Sequence, residues 1–456
     1  MGRTGSGERH RADMKHTLFV NGKIVLSNGI LEQGKLMAAG DRILDILPEE
    51  RGRRGTGEGK KDRALWERAD EVVDLEGKYL APGFIDIHVH GGGGGDFMDG
   101  ERESWQQALE THLRHGTTAV CPTTLTASTE EMEKVFALYR EFRRERGQGC
   151  EQDRGRGQGQ GCERSRGCGQ GLERCPERCS RRPRLLGLHM EGPYIAESMK
   201  GAQDARYIRK PEKELTDWLL EKGAGVLRIL TAAPELEGIG EVARAARKAG
   251  VLLSVGHSDA RLEDVEQAVR DGYTMVTHLY SSMSTIVREN GMRRPGVLEA
   301  ALLSDKLDVE VIGDGMHLPV SLLRLILKTK GADHMILVTD AMRAAGLPPG
   351  QYKLGSLRRG QTVWSDGNIA RMPDGISFAG SVATADRLIR VLYQEAGIPL
   401  WQAVKMMTRN PARALGEEEI GALAPGKKAD LVIFDEHICI DKVYLDGDEI
   451  KCPDTK

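Results

Sequence analysis

Eight short apolar runs, each ending near a small or polar residue, recur along the chain and alternate with helix-like stretches. Between them, segments such as 128–143 and 261–271 carry apolar residues at helical spacing. The starts of successive runs lie 23–40 residues apart once one unusual tract is set aside, which is typical of strand–helix units. The pattern predicts an α/β fold of the (β/α)₈ TIM-barrel type. The predicted strands are residues 84–90, 117–123, 185–191, 225–231, 251–257, 274–278, 308–312 and 335–340.

An open, doubly wound sheet is the alternative arrangement of such units. That fold predicts a Gly-x-Gly-x-x-Gly phosphate turn between the first strand and its helix. The glycines at 91–95 form a plain run instead. The barrel is therefore favoured.

The segments on either side of the barrel look different. Residues 17–47 read as short strands with turn signals at 21–22, 28–29 and 40–41, and 426–443 repeats this character with an apolar strand at 431–434 and a turn at 446–447. Neither segment offers enough apolar surface for a core alone. We expect one small β-sandwich domain from 16–81 plus 421–456, a barrel over 82–420, and a disordered tail at 1–15.

Residues 143–182 form an unusual tract inside the barrel sequence. They hold 11 Arg, 9 Gly and 5 of the 8 Cys, with Leu172 as the only aliphatic residue. Such a composition cannot bury enough apolar surface to fold, so we expect a disordered insert. A metal or redox role is the alternative, but no Cys-x-x-Cys pair is present. Its position after the second barrel helix predicts that it lies on the face opposite the active site.

Charge and hydropathy exclude several classes of partner. The net charge is −3, with 65 Lys and Arg against 68 Asp and Glu, which gives no sign of a nucleic-acid surface. No run of about 18 apolar residues exists, so no membrane span is expected. The polar first 15 residues do not resemble a secretory signal, and we expect a cytoplasmic protein with reduced cysteines.

Residue types that bind metals stand at the ends of five predicted strands. The carboxyl ends of barrel strands meet at one face, so these side chains should converge there. Six such residues in one register favour one or two divalent transition metals, zinc above all, over six separate hydrogen-bonded core residues. The residues are His88, His90, Glu191, His257, His278 and Asp340.

A metal at this face would make it a hydrolytic centre. A bound divalent metal lowers the pKa of water from about 15.7 toward about 7 and polarises a carbonyl group. Asp340 could take a proton from that water and pass it to a leaving group. His189 is either a neighbour of the site or a packed core imidazole, and His317 is expected to contact substrate. Amide, ester and deamination substrates all stay open at this point.

Short motifs span nearly the whole chain outside the tail and the insert. The most specific are HMEGP at 189–193, Thr-His-Leu-Tyr at 277–280 and Asp-Gly-Met-His at 314–317. Together they resemble the amidohydrolase superfamily and, more narrowly, its N-acetylglucosamine-6-phosphate deacetylases. Further matching blocks lie at 82–91, 200–202, 256–258, 293–296, 338–341, 379–381, 410–412 and 424–430.

The resemblance implies removal of the acetyl group from N-acetylglucosamine 6-phosphate, releasing acetate, in amino-sugar catabolism. It implies a principal metal on Glu191, His257 and His278, a second site at His88, His90 and Asp340 that some members fill, and Asp340 as the acid and base. Zinc is the expected ion, with iron, manganese and cobalt as alternatives. A homodimer is the expected assembly, with the phosphate site near the subunit boundary. Arg293 and His317 would contact the phosphate, and the sugar would be lined by Ala202, Ser281, Ser282, Phe378, Ala379 and Gly380.

Two departures from the family pattern bear on the substrate. Gln203 stands where the family usually has a His that hydrogen-bonds the acetyl carbonyl, and Ser281-Ser282 replace Asn-Ala. They leave open a galactosamine epimer, another acyl group or an N-acyl-D-amino acid. A dihydroorotase-like enzyme would use a carbamylated Lys where Glu191 stands. A catalytically silent binding protein would not need the intact metal set with Asp340.

Overall fold

The barrel consists of eight parallel strands in a single ring. The computed structural model describes residues 14–48, 66, 69–153, 182–375 and 377–451. The barrel strands pair in chain order, which confirms the predicted fold and the position of each strand. They are Phe84–Val89, Thr117–Thr124, Leu188–Glu191, Leu227–Ala232, Leu252–Val255, Tyr273–Val276, Asp308–Val311 and Met335–Leu337, with the short strand Arg184–Leu185 beside the second.

The ring closes beside the predicted site. The backbone N–H of Asp340, just past the last strand, donates to the carbonyl of His88 on the first strand at 2.9 Å. The N–H of His90 donates to the carbonyl of Ala341 at 2.8 Å. Closure therefore fixes the loop after the eighth strand against the residues that end the first.

Alternation along the strands separates two cores. Leu230, Val276 and Leu337 belong to the large cluster that includes the helices, whereas Ile229 and Met275 lie in a smaller cluster formed with other barrel strands. Both faces are buried, as expected for parallel strands, so the runs read as continuously apolar. Side chains two residues apart on a strand lie on the same face. Polar residues two positions from a member of the smaller cluster therefore project into the barrel interior.

Helices follow the strands and cover the outside of the barrel. The helix predicted from 128 begins at Thr129, where Ser128 caps it: the hydroxyl of Ser128 donates to Glu131 at 2.9 Å and accepts from the N–H of Glu131 at 3.3 Å. The α-helices are Arg102–Arg114, Thr129–Asp153, Lys213–Lys222, Ile239–Lys248, Leu262–Asp271, Val297–Leu303, Val320–Lys330, Ala385–Arg390, Leu400–Met406 and Arg409–Leu415. Single turns occur at Phe97–Asp99, Glu197–Met199, Ala205–Tyr207 and Val391–Glu395.

The segments before and after the barrel share one sheet. Phe19, Leu36, Leu431 and Tyr444 come from both segments and pack in one core. The turns at 28–29, 40–41 and 446–447 are present, but the predicted turn at 21–22 is wrong. Asn21 is left-handed there (φ 57°) in an irregular stretch of a continuous strand, so the Asn-Gly pair marks a bulge rather than a reversal. The strands are His16–Leu26, Gly29–Ala39, Arg42–Pro48, Glu71–Asp74, Tyr79–Pro82, Leu431–Phe434, Ile440–Leu445 and Asp448–Glu449.

Three small β-structures were not predicted from the sequence. The exposed hairpin Val287–Glu289 and Met292–Arg294 follows the sixth barrel strand. A three-stranded sheet follows the eighth and consists of Gly350–Leu354, Gln361–Ser365 and Ala370–Arg371. The third is the pair Gly91–Gly92 and Gly95–Asp96 after the first strand. All three follow strands, and so lie on the side where the predicted site residues converge.

Both predicted boundaries of the Arg- and Gly-rich tract are wrong. The preceding helix runs to Asp153, and Arg143 within it donates to the carbonyl of Gly225 at 2.7 Å. Arg182 is buried over the ring of Phe142 and pairs with Glu145 at 3.1 Å. The apolar face of the helix and these cation contacts outweigh the local composition. The predictions for 154–181 and 1–13 lie outside the described residues. In the described part of the chain, no helix is long and apolar enough to cross a membrane.

Deleting residues 148–180 tests whether the tract is separate from catalysis. The contact of Arg182 with Glu145 brings its two flanks together, at the end of the barrel where the third strand begins, so a short join can replace it. We expect kcat/KM to stay within about threefold, because catalytic groups of a barrel lie at the opposite face. Steady-state kinetics of the full chain and the deletion variant give the two kcat/KM values. A loss of a hundredfold or more would show that the tract takes part in catalysis.

Candidate metal centre and active site

The six predicted metal-binding residues come together at the carboxyl ends of the barrel strands. Each of them is buried. Three lie two or three residues past the end of a strand and have a left-handed backbone, with φ of 49° at His257, 29° at His278 and 48° at Asp340. Non-glycine residues rarely adopt this region, and such strain is concentrated at functional sites.

Glu191 joins two of the imidazoles. Its Oε1 lies 2.9 Å from Nε2 of His257 and 2.8 Å from Nε2 of His278. The two nitrogens are 3.2 Å apart. Three donor atoms from the third, fifth and sixth strands therefore point at one spot.

The first and last strands form a second group beside it. Nε2 of His90 lies 3.3 Å from Nε2 of His88 and 3.1 Å from Oδ1 of Asp340. It also lies 3.4 Å from Oε2 of Glu191, which thus stands between the two groups. The arrangement offers room for one or two cations that share a carboxylate.

Charge in the cluster is separated between carboxylates and imidazoles. Burial alone would lower the pKa of His90 and of His278. Hydrogen bonds to Asp340 and Glu191 hold the pKa of His90 well above its ordinary value, and a hydrogen bond to Glu191 raises the pKa of His278 to about 9. Burial would raise the pKa of Glu191, yet the neighbouring imidazoles hold it well below its usual range. In His88, burial dominates and lowers the pKa to about 3.

These residues fit a divalent metal. Pairs of imidazole nitrogens face each other at 3.2–3.3 Å with carboxylate oxygens beside them, and the donor atoms of His88, Glu191 and His278 lie within 4.8 Å of one another. A site that stabilises protonated imidazoles against carboxylates will also bind a cation that replaces those protons. Nitrogen and oxygen donors of this kind suit zinc and its neighbours in the transition series.

Glu310 is a member of the site that sequence analysis missed. It is fully buried in the seventh strand, and its Oε2 lies 2.9 Å from Nδ1 of His88. Burial raises the pKa of Glu310 to about 7. The available signal was its position two residues before Ile312, an inner-cluster residue, which places a carboxylate inside an apolar barrel.

His189 is a core residue rather than a contact of the cavity. Its Nδ1 lies 2.9 Å from the carbonyl of Ile87 and its Nε2 2.7 Å from the hydroxyl of Thr231. A carbonyl can only accept, so Nδ1 carries the proton and Nε2 accepts from Thr231. Both ring nitrogens are used, and burial lowers the pKa of His189 to about 4.

Gln203, a predicted substrate contact, lies between Glu191 and Thr126. Its side-chain amide donates to Oε2 of Glu191 at 2.7 Å. Its carbonyl accepts from the N–H and the hydroxyl of Thr126, at 2.7 and 3.0 Å. Only 2% of Gln203 is exposed. The residue therefore orients the carboxylate of Glu191.

A cavity of about 370 Å³ opens above the metal cluster. His317 stands in its wall, with its ring 4.6 Å from that of Phe378 and its Nδ1 2.8 Å from Asp314. Arg293 does not line this cavity, because it lies exposed on the 287–294 hairpin. Ala379 does not line the cavity but is buried between Phe378 and Gly380, which do. The predicted substrate contacts that line the cavity are Ala202, Gln203, Ser281, Ser282, His317, Phe378 and Gly380.

Fold and site together are typical of a barrel hydrolase, with a cluster that could hold a metal ion at the carboxyl ends of its strands. The model of the amidohydrolase family matches residues 79–450. A relative from Lysinibacillus sphaericus, an N-acetylglucosamine-6-phosphate deacetylase, is 34% identical over 83% of this chain and 88% of its own. The chain belongs to the amidohydrolase family and, within it, to the N-acetylglucosamine-6-phosphate deacetylases.

Two further comparisons bear on the substrate. A variant of the deacetylase from Mycobacterium smegmatis, solved with N-acetyl-D-glucosamine-6-phosphate, superposes with a TM-score of 0.76 at 27% identity and covers 96% of this chain and 99% of that one. An N-acetylgalactosamine-6-phosphate deacetylase from Escherichia coli O157:H7 is 28% identical over 82% of this chain and 89% of its own.

Replacing Gln203 by Ala separates its two possible roles. Removing the amide takes away the donor that holds Oε2 of Glu191, so we expect metal affinity to fall by about 10- to 100-fold, as for other residues that orient a ligand. Chelator competition measures the affinity. A normal affinity with only a raised KM would instead assign Gln203 to the acyl group of the substrate.

Proposed function

We propose that this protein hydrolyses N-acetyl-D-glucosamine 6-phosphate to glucosamine 6-phosphate and acetate in amino-sugar catabolism. The observation that carries the proposal is the Glu191-centred cluster beneath a cavity large enough for a phosphorylated sugar. Family membership agrees with it, and the Mycobacterium smegmatis relative is solved with this compound.

A divalent metal belongs in the cluster, and zinc is the ion we propose. Glu191, His257 and His278 would hold the principal ion, and His88 and His90 with Asp340 a second. When bound, the metal supplies an acidified water molecule and polarises the acetyl carbonyl.

Asp340 is the proton carrier in this proposal. It lines the cavity and is hydrogen-bonded to His90. Burial would raise the pKa of Asp340, but His90 and His88 hold it below its ordinary value, so the carboxylate is ionised at neutral pH. It can accept the proton of the attacking water and donate it to the amine nitrogen as the amide bond breaks.

The cavity wall positions the sugar phosphate. In its imidazolium form His317 donates from Nδ1 to Asp314, 2.8 Å away, and can donate from Nε2 to a phosphate oxygen. Gly380 is left-handed (φ 64°), and a Cβ there would come within 2.9 Å of the Asp340 carbonyl, so the backbone approaches closely beside the acid–base residue.

Arg293 completes the phosphate site from a second subunit in this proposal. The hairpin that bears it is exposed, and Ile286 and Met292 beside it are 50% and 59% exposed. Apolar side chains flanking an exposed arginine suit contact with another copy of the chain. A guanidinium also matches phosphate oxygens bidentately.

An acetate-release assay tests the proposed substrate. The zinc-loaded protein is given N-acetylglucosamine 6-phosphate, its galactosamine epimer, the two unphosphorylated sugars and an N-acetyl-D-amino acid. We expect the highest kcat/KM for the glucosamine derivative. A preference for the epimer would move the protein to the activity of its Escherichia coli relative, and turnover of the D-amino acid alone would overturn the proposal.

Replacing Asp340 by Asn should abolish proton transfer while keeping the shape of the side chain. General acid–base catalysis contributes about 10²- to 10⁴-fold, so we expect kcat to fall by that factor. Metal analysis of the same sample is the control, because Asp340 also borders the second ion. An unchanged kcat with the metal retained would contradict the role of Asp340 as acid and base.

Replacing Arg293 by Ala should raise KM for the phosphorylated substrate and leave turnover of an unphosphorylated sugar unchanged. Loss of a charge-assisted contact of this kind costs about 1.5–3 kcal/mol, or roughly 10- to 100-fold in KM. Arg294→Ala is the matched control, since Arg294 faces the other side of the hairpin and lies near Glu289 at 3.8 Å. Equal effects of the two substitutions would argue against a specific phosphate contact.

A further inference from the structure

We infer that Glu310 is a positioning residue for the second metal, because its carboxylate fixes the ring of His88 and leaves Nε2 of that ring free to bind the ion. The inference rests on the proposed function only through the metal site. It concerns metal binding and is independent of which amide is hydrolysed.

The contact between the two residues is direct and excludes water. Oε2 of Glu310 lies 2.9 Å from Nδ1 of His88, and neither residue is exposed. A cation can bind only at a ring nitrogen without a proton, so when Nε2 holds the ion Nδ1 carries the proton and Oε2 of Glu310 accepts it. One hydrogen bond therefore sets both the tautomer and the orientation of the ring.

The Nε2 that this leaves unprotonated points into the metal cluster. It lies 3.3 Å from Nε2 of His90, 3.5 Å from Oδ1 of Asp340 and 3.7 Å from Oε1 of Glu191. Its neighbours are thus the other proposed ligands of the second ion and the carboxylate shared with the first. A rotated or tautomerised ring would present N–H to this spot and repel a cation.

His88 differs in this respect from the other three imidazoles. Nδ1 of His257 lies 2.8 Å from the carbonyl of Met199, a neutral acceptor. Nδ1 of His90 and of His278 has no hydrogen-bond partner in the described part of the structure. A carboxylate partner makes an imidazole more basic and a better ligand than a carbonyl does. Among the four imidazoles of the cluster, His88 alone has a buried carboxylate behind its Nδ1, and it belongs to the proposed second site.

A separate metal site on Glu310 itself does not fit. The donor atoms of His88, His189 and Glu310 do lie within 4.8 Å of one another. However, His189 donates from Nδ1 to Ile87 and accepts at Nε2 from Thr231, so it has no lone pair to offer. The proton on Nδ1 of His88 also occupies the atom that would face such an ion.

The seventh strand delivers Glu310 to this position. Its side chain shares the inward face with Ile312, and its carbonyl accepts from the N–H of Leu279 at 2.8 Å. His278, which precedes Leu279 in the chain, is a proposed ligand of the principal ion. Oε2 of Glu310 also accepts from the backbone N–H of His278 at 3.4 Å, a second contact that holds the carboxylate beside His88.

Zinc affinities of Glu310 variants test the inference. Metal-free wild type, Glu310→Gln and Glu310→Ala are titrated with zinc against a competing chelator, and bound zinc is counted by elemental analysis. We expect wild type to bind two equivalents. In Glu310→Ala the weaker equivalent should lose about 10- to 100-fold in affinity with the tighter one unchanged, as for other residues that orient a ligand. Glu310→Gln keeps a neutral acceptor, so its loss should be smaller, and its similar shape protects the test against misfolding.

Asp386→Asn is the matched control. Asp386 pairs with Nδ1 of His115 at 3.0 Å, a contact of the same kind outside the metal cluster, so both zinc affinities should stay at the wild-type values. The inference is overturned if wild type binds one equivalent, if Glu310→Ala binds both as wild type does, or if both affinities fall together. Failure of the proposed function would show differently, as zinc-loaded wild type that binds two ions and releases no acetate.

Discussion

The buried carboxylate of Glu191, held between the imidazoles of His257 and His278, is the interaction on which the rest of the site depends. A buried charge is costly unless it is paired and hydrogen-bonded. Here Nε2 atoms from two other strands lie within 2.9 Å of one oxygen, and Gln203 donates to the other at 2.7 Å. The cluster therefore exists only where three strand ends and the Gln203 loop meet, which ties its geometry to the closed barrel.

The supporting contacts are distributed unequally between the two proposed ions. The principal site is oriented by Gln203 and by the carbonyl of Met199, both uncharged. The second site has a buried carboxylate behind His88 and shares Asp340 with the proton-transfer step. Two different kinds of support allow the two ions to differ in affinity although they share Glu191.

The fold could be predicted from the sequence because buried parallel strands are apolar on both faces and end in polar residues. The same rule selected the six proposed metal ligands, since each follows or ends such a run. It failed for the 287–294 hairpin and the three-stranded sheet of 350–371, because their strands are exposed or only partly buried and carry no comparable apolar signal. The rule also did not predict the role of Glu310, since a single carboxylate inside an apolar strand does not indicate which residue it contacts.

The contact partners of Gln203 and Arg182 could not be predicted from residue type. Gln203 could have faced the substrate, and only the position of Thr126 shows that its carbonyl is used elsewhere. Arg182 reads as part of a charged tract, yet it is buried on Phe142. In both cases a long-range neighbour decides the outcome.

Zinc reconstitution of the metal-free protein tests the central claim most directly. Acetate release from N-acetylglucosamine 6-phosphate is measured as zinc is added, with bound zinc counted in the same samples and Glu191→Gln treated in parallel. The account predicts that release is absent without metal, rises with bound zinc in the wild-type protein and stays absent in the variant. Full acetate release from the metal-free protein, or from Glu191→Gln, would contradict it.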